Sequence, residues 1–148
     1  MDNLIVRYIS RIFLPFVQLY GLYVILHGHL SPGGGFSGGA ILGAGMVLYA
    51  LSFNLPEGEK NFSPDASTIL ESGGTLLYAG IGLFSLLLGA NFLANKAAGY
   101  PLGTPGNLFS SGAIPVITLG VGMKVASTVI TFFYRLIARE GGQNGAAD

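Results

Sequence analysis

Charge is what this sequence lacks most. Only 9% of its 148 residues are Asp, Glu, Lys or Arg, against about a quarter in a soluble domain. Seven acidic and seven basic side chains cannot supply the polar shell that a water-soluble fold of this length needs around one core. With 51% of residues apolar, the bilayer is the better solvent. The formal net charge is zero, so no basic field exists to hold nucleic acid and no acidic tail to repel a partner. Cysteine is absent, which excludes a disulfide framework, a thiolate nucleophile and any cysteine-ligated zinc or iron–sulfur centre. Electron chemistry, if coupled to this chain, sits on another subunit, and no cofactor ligand set is readable.

The few charges divide the chain. Between Arg11 and Glu57 lie 45 uncharged residues, enough for two crossings of about 20 residues each and a turn. The turn is His27-Gly28-His29-Leu30-Ser31-Pro32-Gly33-Gly34-Gly35-Phe36, where Pro and Gly break any helix passing through. The pattern predicts spans near 8–27 and 37–55. Residues 56–70 hold Glu57, Glu59, Lys60 and Asp65 and are expected to be a solvated loop. Glu71 opens an uncharged, Leu-rich run of 24 residues, which predicts a third span over 72–94. The stretch from Tyr100 to Asn107 has turn chemistry, and a fourth span is expected over 111–134. Residues 141–148 read as a flexible tail. The expected fold is therefore all-α, with four transmembrane helices. A secretory signal peptide is the rival for the N-terminus, but no small-residue cleavage site leads into a hydrophilic chain.

With four spans, both termini and the middle loop share one side. That side carries Arg7, Arg11, Lys60, Arg135 and Arg139, while the opposite loops carry only Lys96. The basic excess predicts both termini in the cytoplasm and the glycine-rich turn facing outward.

Several residues could carry function. Irregular backbone at membrane depth must be received by protein or water, so the turn is either a tight hairpin or the lining of a cavity or docking surface. It is not a phosphate-binding loop, because no Lys-Ser/Thr pair follows. Gly35, Gly39 and Gly43 form a stripe with Gly34 and Gly38 beside it, a face on which helix backbones approach closely. Lys124 stands roughly 15 Å from the nearer end of its span, too deep for easy snorkelling. A central Lys costs about 2.5–3.5 kcal/mol on insertion scales, so it needs a carboxylate, carbonyls or water. Its helical neighbours Gly120, Ser127, Thr128 and Thr131 make a polar stripe. Two roles stand level: pairing with another subunit's acid, or proton and cation transfer. Glu71, at the start of the expected third span on the same side, is the carboxylate of this chain close enough to be considered as a partner, and it otherwise reads as a helix N-terminal acid. His27 and His29 are too few for a metal site and fit a structural role or a proton relay. Pro15 is expected to kink the first helix. Pro115 falls in the first turn of the fourth, where a missing N–H costs little.

From His27 to Gly39 the sequence resembles the signature of the MnhB or MrpB family, one of the small-subunit families of the multisubunit Na+/H+ antiporters. Gly106 to Pro115, followed by Gly122-Met123-Lys124-Val125, resembles that family's last loop and span. The resemblance implies a small, non-catalytic membrane subunit of a hetero-oligomer that exchanges Na+ for H+ across the cytoplasmic membrane. Related modules serve membrane-bound hydrogenases and sulfur-reducing complexes. A purely structural scaffold is a further reading. A stand-alone transporter or a membrane hydrolase fits less well, since the expected spans hold no carboxylate and no nucleophile is evident.

Overall fold

A computed structural model of the chain describes residues 4–30, 33–53, 63–104, 106–107 and 110–144. Among these residues there are four long helices and no strand: α1 (Leu4–Leu26), α2 (Gly35–Phe53), α3 (Pro64–Leu87) and α4 (Ile114–Asn144), with a single 3-10 turn at Lys96–Ala98. Each helix contains a stretch long and apolar enough to cross a membrane. In space α2 packs on α1 and on α4, and α3 packs on the other side of α4. The two central helices are thus α2 and α4.

The packing is that of a membrane protein. Buried apolar positions are mostly small, namely Ala50, Ala98, Ala113 and Ala126, with Ile25 and Ile130. Large side chains point outward instead: Ile12, Phe13, Phe16 and Leu19 of α1 are all more than half exposed. In water that surface would drive aggregation. In lipid it costs nothing, and association rests on close contact between small residues.

At one end of the bundle, α1 begins where α2 stops. Arg7 donates Nε to the Ser52 carbonyl at 3.2 Å and Nη2 to the Phe53 carbonyl at 3.3 Å, satisfying orphan acceptors at the negative end of α2. Its guanidinium and that of Arg11 lie 5.7 Å and 6.0 Å from the Phe53 ring centroid. Ser52 donates to Ser10 Oγ at 2.6 Å in the buried seam just inside. Arg7→Met is expected to cost about 1 kcal/mol, read as a lower melting temperature of the detergent-solubilised protein; an unchanged melt would remove this cap from the account.

Three boundaries differ most from the sequence expectation. The third helix begins at Pro64, not near 72, and ends at Leu87 rather than 94. Ser63 caps it by accepting from the Ala66 amide at 3.2 Å, Pro64 opens it, and Asp65 lies in its first turn, a combination that favours a helix start. Gly89, with φ +77, turns the chain away at the other end. Residues 64–70 are therefore helix rather than loop; 54–62 lie outside the described residues. At the C-terminus α4 continues to Asn144, so helix covers the first half of the expected tail, and 145–148 lie outside the described residues. Pro15 stays within α1 without ending it.

Candidate functional site

The glycine-rich turn joins α1 to α2 at the end of the bundle opposite the arginines. His27 Nδ1 lies 3.2 Å from the Tyr23 carbonyl and its ring stacks on Tyr23 at 4.2 Å. His29 reaches across to the other loop at this end, with Nε2 3.4 Å from the Asn107 carbonyl. Its Nδ1 is buried with no hydrogen-bond partner among the described residues. The two imidazoles thus face different groups, and among the described residues no cluster of three or more His, Asp or Glu could hold a metal. Gly34 adopts φ +107, a conformation glycine reaches without a Cβ penalty. Its carbonyl accepts from the Gly38 amide and the Ser37 hydroxyl, starting α2. Phe36 points outward, 71% exposed. Pro32 lies outside the described residues.

The glycine stripe meets a helix of this same chain. A Cβ on Gly35 would stand 2.9 Å from Val121 Cβ, one on Gly39 2.9 Å from Val125 Cβ, and one on Gly43 2.8 Å from Val129 Cβ. All three are contacts with α4, whose Gly122 is the recess between them. Gly38 belongs to a second face: its Cβ would stand 2.8 Å from the Gly21 carbonyl oxygen of α1. One helix thereby grips two neighbours through glycines one residue apart. Pro115 is buried at the start of α4, where its carbonyl accepts from the Thr118 hydroxyl at 2.9 Å.

Polar side chains concentrate between α3 and α4. Ser67 Oγ lies 2.7 Å from Ser127 Oγ and 2.5 Å from Thr131 Oγ1, and Ser127 donates to the Ser67 carbonyl at 2.6 Å. Ser127 is fully buried. Further along the same seam a Cβ on Gly74 would meet the Gly120 carbonyl and stand 3.2 Å from Lys124 Cβ. Lys124 Nζ donates to Thr75 Oγ1 at 3.2 Å, and Thr75 in turn donates to the Glu71 carbonyl at 2.8 Å. Thr128 donates back to the Lys124 carbonyl at 2.9 Å. Lys124, Thr75 and Thr128 are exposed on the outside of this chain, and Glu71 is half-buried.

Two expectations change here. Glu71 is not a first-turn acid, because α3 starts at Pro64 and Asp65 holds that position. It is instead a carboxylate within a membrane-spanning stretch, of which the sequence segmentation had none. Lys124 is also met by a hydroxyl, not by Glu71, and no ion pair forms among the described residues. Sequence reasoning missed Ser67, Thr75 and Gly74. The signal was Ser63-Pro64-Asp65: with the helix begun there, Ser67, Glu71, Gly74 and Thr75 fall on one face.

The geometry is that of four close-packed apolar helices whose most polar seam lies between α3 and α4. A family model described as a domain related to the MnhB subunit of Na+/H+ antiporter matches residues 5–131, which takes in the turn, both glycine faces and Lys124. The chain belongs to this family. It is thus a multi-pass membrane protein. Among MnhB-family relatives, a Staphylococcus aureus protein described as antiporter subunit mnhB2 is 26% identical over 97% of this chain and 98% of its own length. An uncharacterized protein of Methanocaldococcus jannaschii is 30% identical over 78% of this chain but only 45% of its own length. A chain in the structure of the membrane-bound sulfane sulfur reductase, an archaeal respiratory membrane complex, superposes with a TM-score of 0.73 and 30% identity. The match covers 90% of this chain and 59% of that one. This MnhB-family chain therefore spans about half the length of two relatives and nearly all of the third.

Proposed function

We propose that this chain is a small integral subunit of a multisubunit Na+/H+ antiporter module in the cytoplasmic membrane, with both termini in the cytoplasm. The observation that carries the reading is the family match over residues 5–131, together with nearly full-length similarity to an antiporter subunit. The basic excess on the side of Arg7 and Arg11 supports the orientation. In this role α2 and α4 hold the bundle together, and Lys124, Glu71, Thr128, His27 and His29 are the groups available to an ion path. Na+ and H+ are the transported ions of the whole complex, and the other membrane subunits are the partners. No residue here is assigned a catalytic role.

The likeness to the sulfane sulfur reductase chain favours a second reading, the equivalent subunit in the ion-translocating module of a respiratory complex or hydrogenase. Both readings require co-assembly. Deleting the gene should abolish Na+-dependent collapse of a pH gradient in everted vesicles, with the remaining subunits recovered as a smaller complex. A chain that purified alone as a stable homo-oligomer with its own transport activity would end both readings. His29→Ala separates path from scaffold: transport should fall by about a hundredfold, the low end of the loss expected when a positioned proton carrier is removed, while the complex stays intact. Unchanged transport would leave this end of the bundle purely structural.

A further inference from the structure

Among the described residues, the one ammonium in the middle of a membrane-spanning helix lies on an open face of this chain. Lys124 is ten residues from Ile114 and thirteen from Ile137, the limits of its spanning stretch, so about 15 Å of helix separates it from the nearer boundary. A lysine side chain cannot bridge that distance to water. It is turned outward by its own neighbour: Gly74 brings the α3 backbone against Lys124 Cβ, leaving the ammonium only the groove where Thr75 stands. That hydroxyl gives its proton to the Glu71 carbonyl and offers its oxygen to Nζ. One of three ammonium donors is thereby used, and on a neutral acceptor. The charge itself remains uncompensated.

The register of the seam sharpens the problem. Ser67 sits level with Ser127 and Thr131, and Gly74 level with Gly120 and Lys124, so Glu71 lies at nearly the depth of Lys124. It nonetheless forms no ion pair with it. The opposite side of the bundle is different, since α1 presents Ile12, Phe13, Phe16 and Leu19 outward, a surface that lipid accepts. Lipid does not accept a mid-membrane ammonium, which in membrane proteins faces a bundle interior, an aqueous cavity or a counter-charge. Of the two outer faces, only the α3/α4 face therefore requires a cover.

We infer that the α3/α4 groove around Lys124 is the contact with a neighbouring subunit, and that a transmembrane helix of that subunit sets an Asp or Glu carboxylate against the ammonium. A carboxylate is the chemistry that fits, because a neutral acceptor is already in place and a buried cation is stabilised chiefly by an opposite charge. The inference rests on the subunit reading above and adds the side of attachment and the partner's chemistry. Nearby Thr128 and Thr75 would frame the pair, and α1 would stay in lipid.

The test uses the chain expressed with its partner subunits. A photo-crosslinking p-benzoylphenylalanine replaces Thr128 on the proposed contact or Phe16 on α1, with Lys124 retained. Position 128 should crosslink to one other subunit, in a peptide whose spanning segment holds an Asp or Glu, and position 16 should give no protein crosslink. Lys124→Met should reduce recovery of the chain in the intact complex by at least about tenfold, and Lys124→Arg should largely retain it. Changing the crosslinked carboxylate to its amide should restore recovery of Lys124→Met, since the partner charge is then no longer left alone. The inference is overturned if position 128 reaches only lipid or a second copy of this chain, or a segment without a carboxylate. Rescue of Lys124→Met by Glu71→Gln would also overturn it, placing the pair within the chain. A tagged wild-type chain that brought down no other membrane subunit would instead defeat the subunit reading itself.

Discussion

Gly39→Leu should leave almost no assembled protein. A Cβ at that position runs into the Gly122 carbonyl and stands 2.9 Å from Val125 Cβ, so backbone, not a flexible side chain, blocks it. Separating α2 from α4 to admit four extra carbons is expected to cost about 3 kcal/mol, the upper part of the overpacking range. Lipid offers no hydrophobic drive to press the helices together again. The measurement is recovery and thermal unfolding of the purified complex, with Gly80→Leu as the matched control. Gly80 is exposed on α3 with nothing near its Cβ position, and its replacement should change stability by less than about 0.5 kcal/mol. Equal behaviour of the two variants would mean that the α2/α4 seam does not hold the bundle.

Asn95→Ala has the next largest expected effect, from a residue outside every long helix. Its Nδ2 donates to the Ser111 carbonyl at 2.8 Å and its Oδ1 accepts from the Ala113 amide at 3.2 Å. One side chain thus ties the loop after α3 to the start of α4 and satisfies an amide at that helix's positive end. The fit is close, since a Cβ at Gly112, whose φ is +60, would strike Asn95 Oδ1. Removing both bonds should cost about 2–3 kcal/mol. Asn95→Asp keeps the acceptor for Ala113 but turns an acceptor oxygen toward the Ser111 carbonyl, where two oxygens repel, so it should recover little of that loss. A melting temperature of Asn95→Ala equal to that of the unaltered chain would show that this side chain does not tie the loop to α4.

Much of the molecule follows from the distribution of a few residue types. Long uncharged runs mark the spans because a charge in hydrocarbon costs kilocalories while leucine costs nothing. The Pro and Gly cluster after His29 marks the first turn because such a run disfavours helix where isolated ones are tolerated. The Gly35–Gly39–Gly43 spacing marks a close-packing face. The third helix was misplaced for an equally physical reason. Asp65 and Glu71 suggest water, yet the helix that Ser63 and Pro64 begin carries both into the spanning stretch. Hydropathy locates the membrane, whereas caps locate the helix, and over residues 64–71 the two disagree.

The sequence by itself determined that this chain lives in a bilayer as four helices, which turns join them, and that Lys124 must have company. Only the tertiary structure decided who keeps that company. Membrane helices such as α2 are apolar or small on every side, so composition does not distinguish the face that meets α1 from the face that meets α4. Which backbones can approach is settled by where glycines oppose one another across the seam. The same constraint set the outlook of Lys124: Gly74 lets α3 close in on its inner side, and the ammonium is left pointing outward beside Thr75.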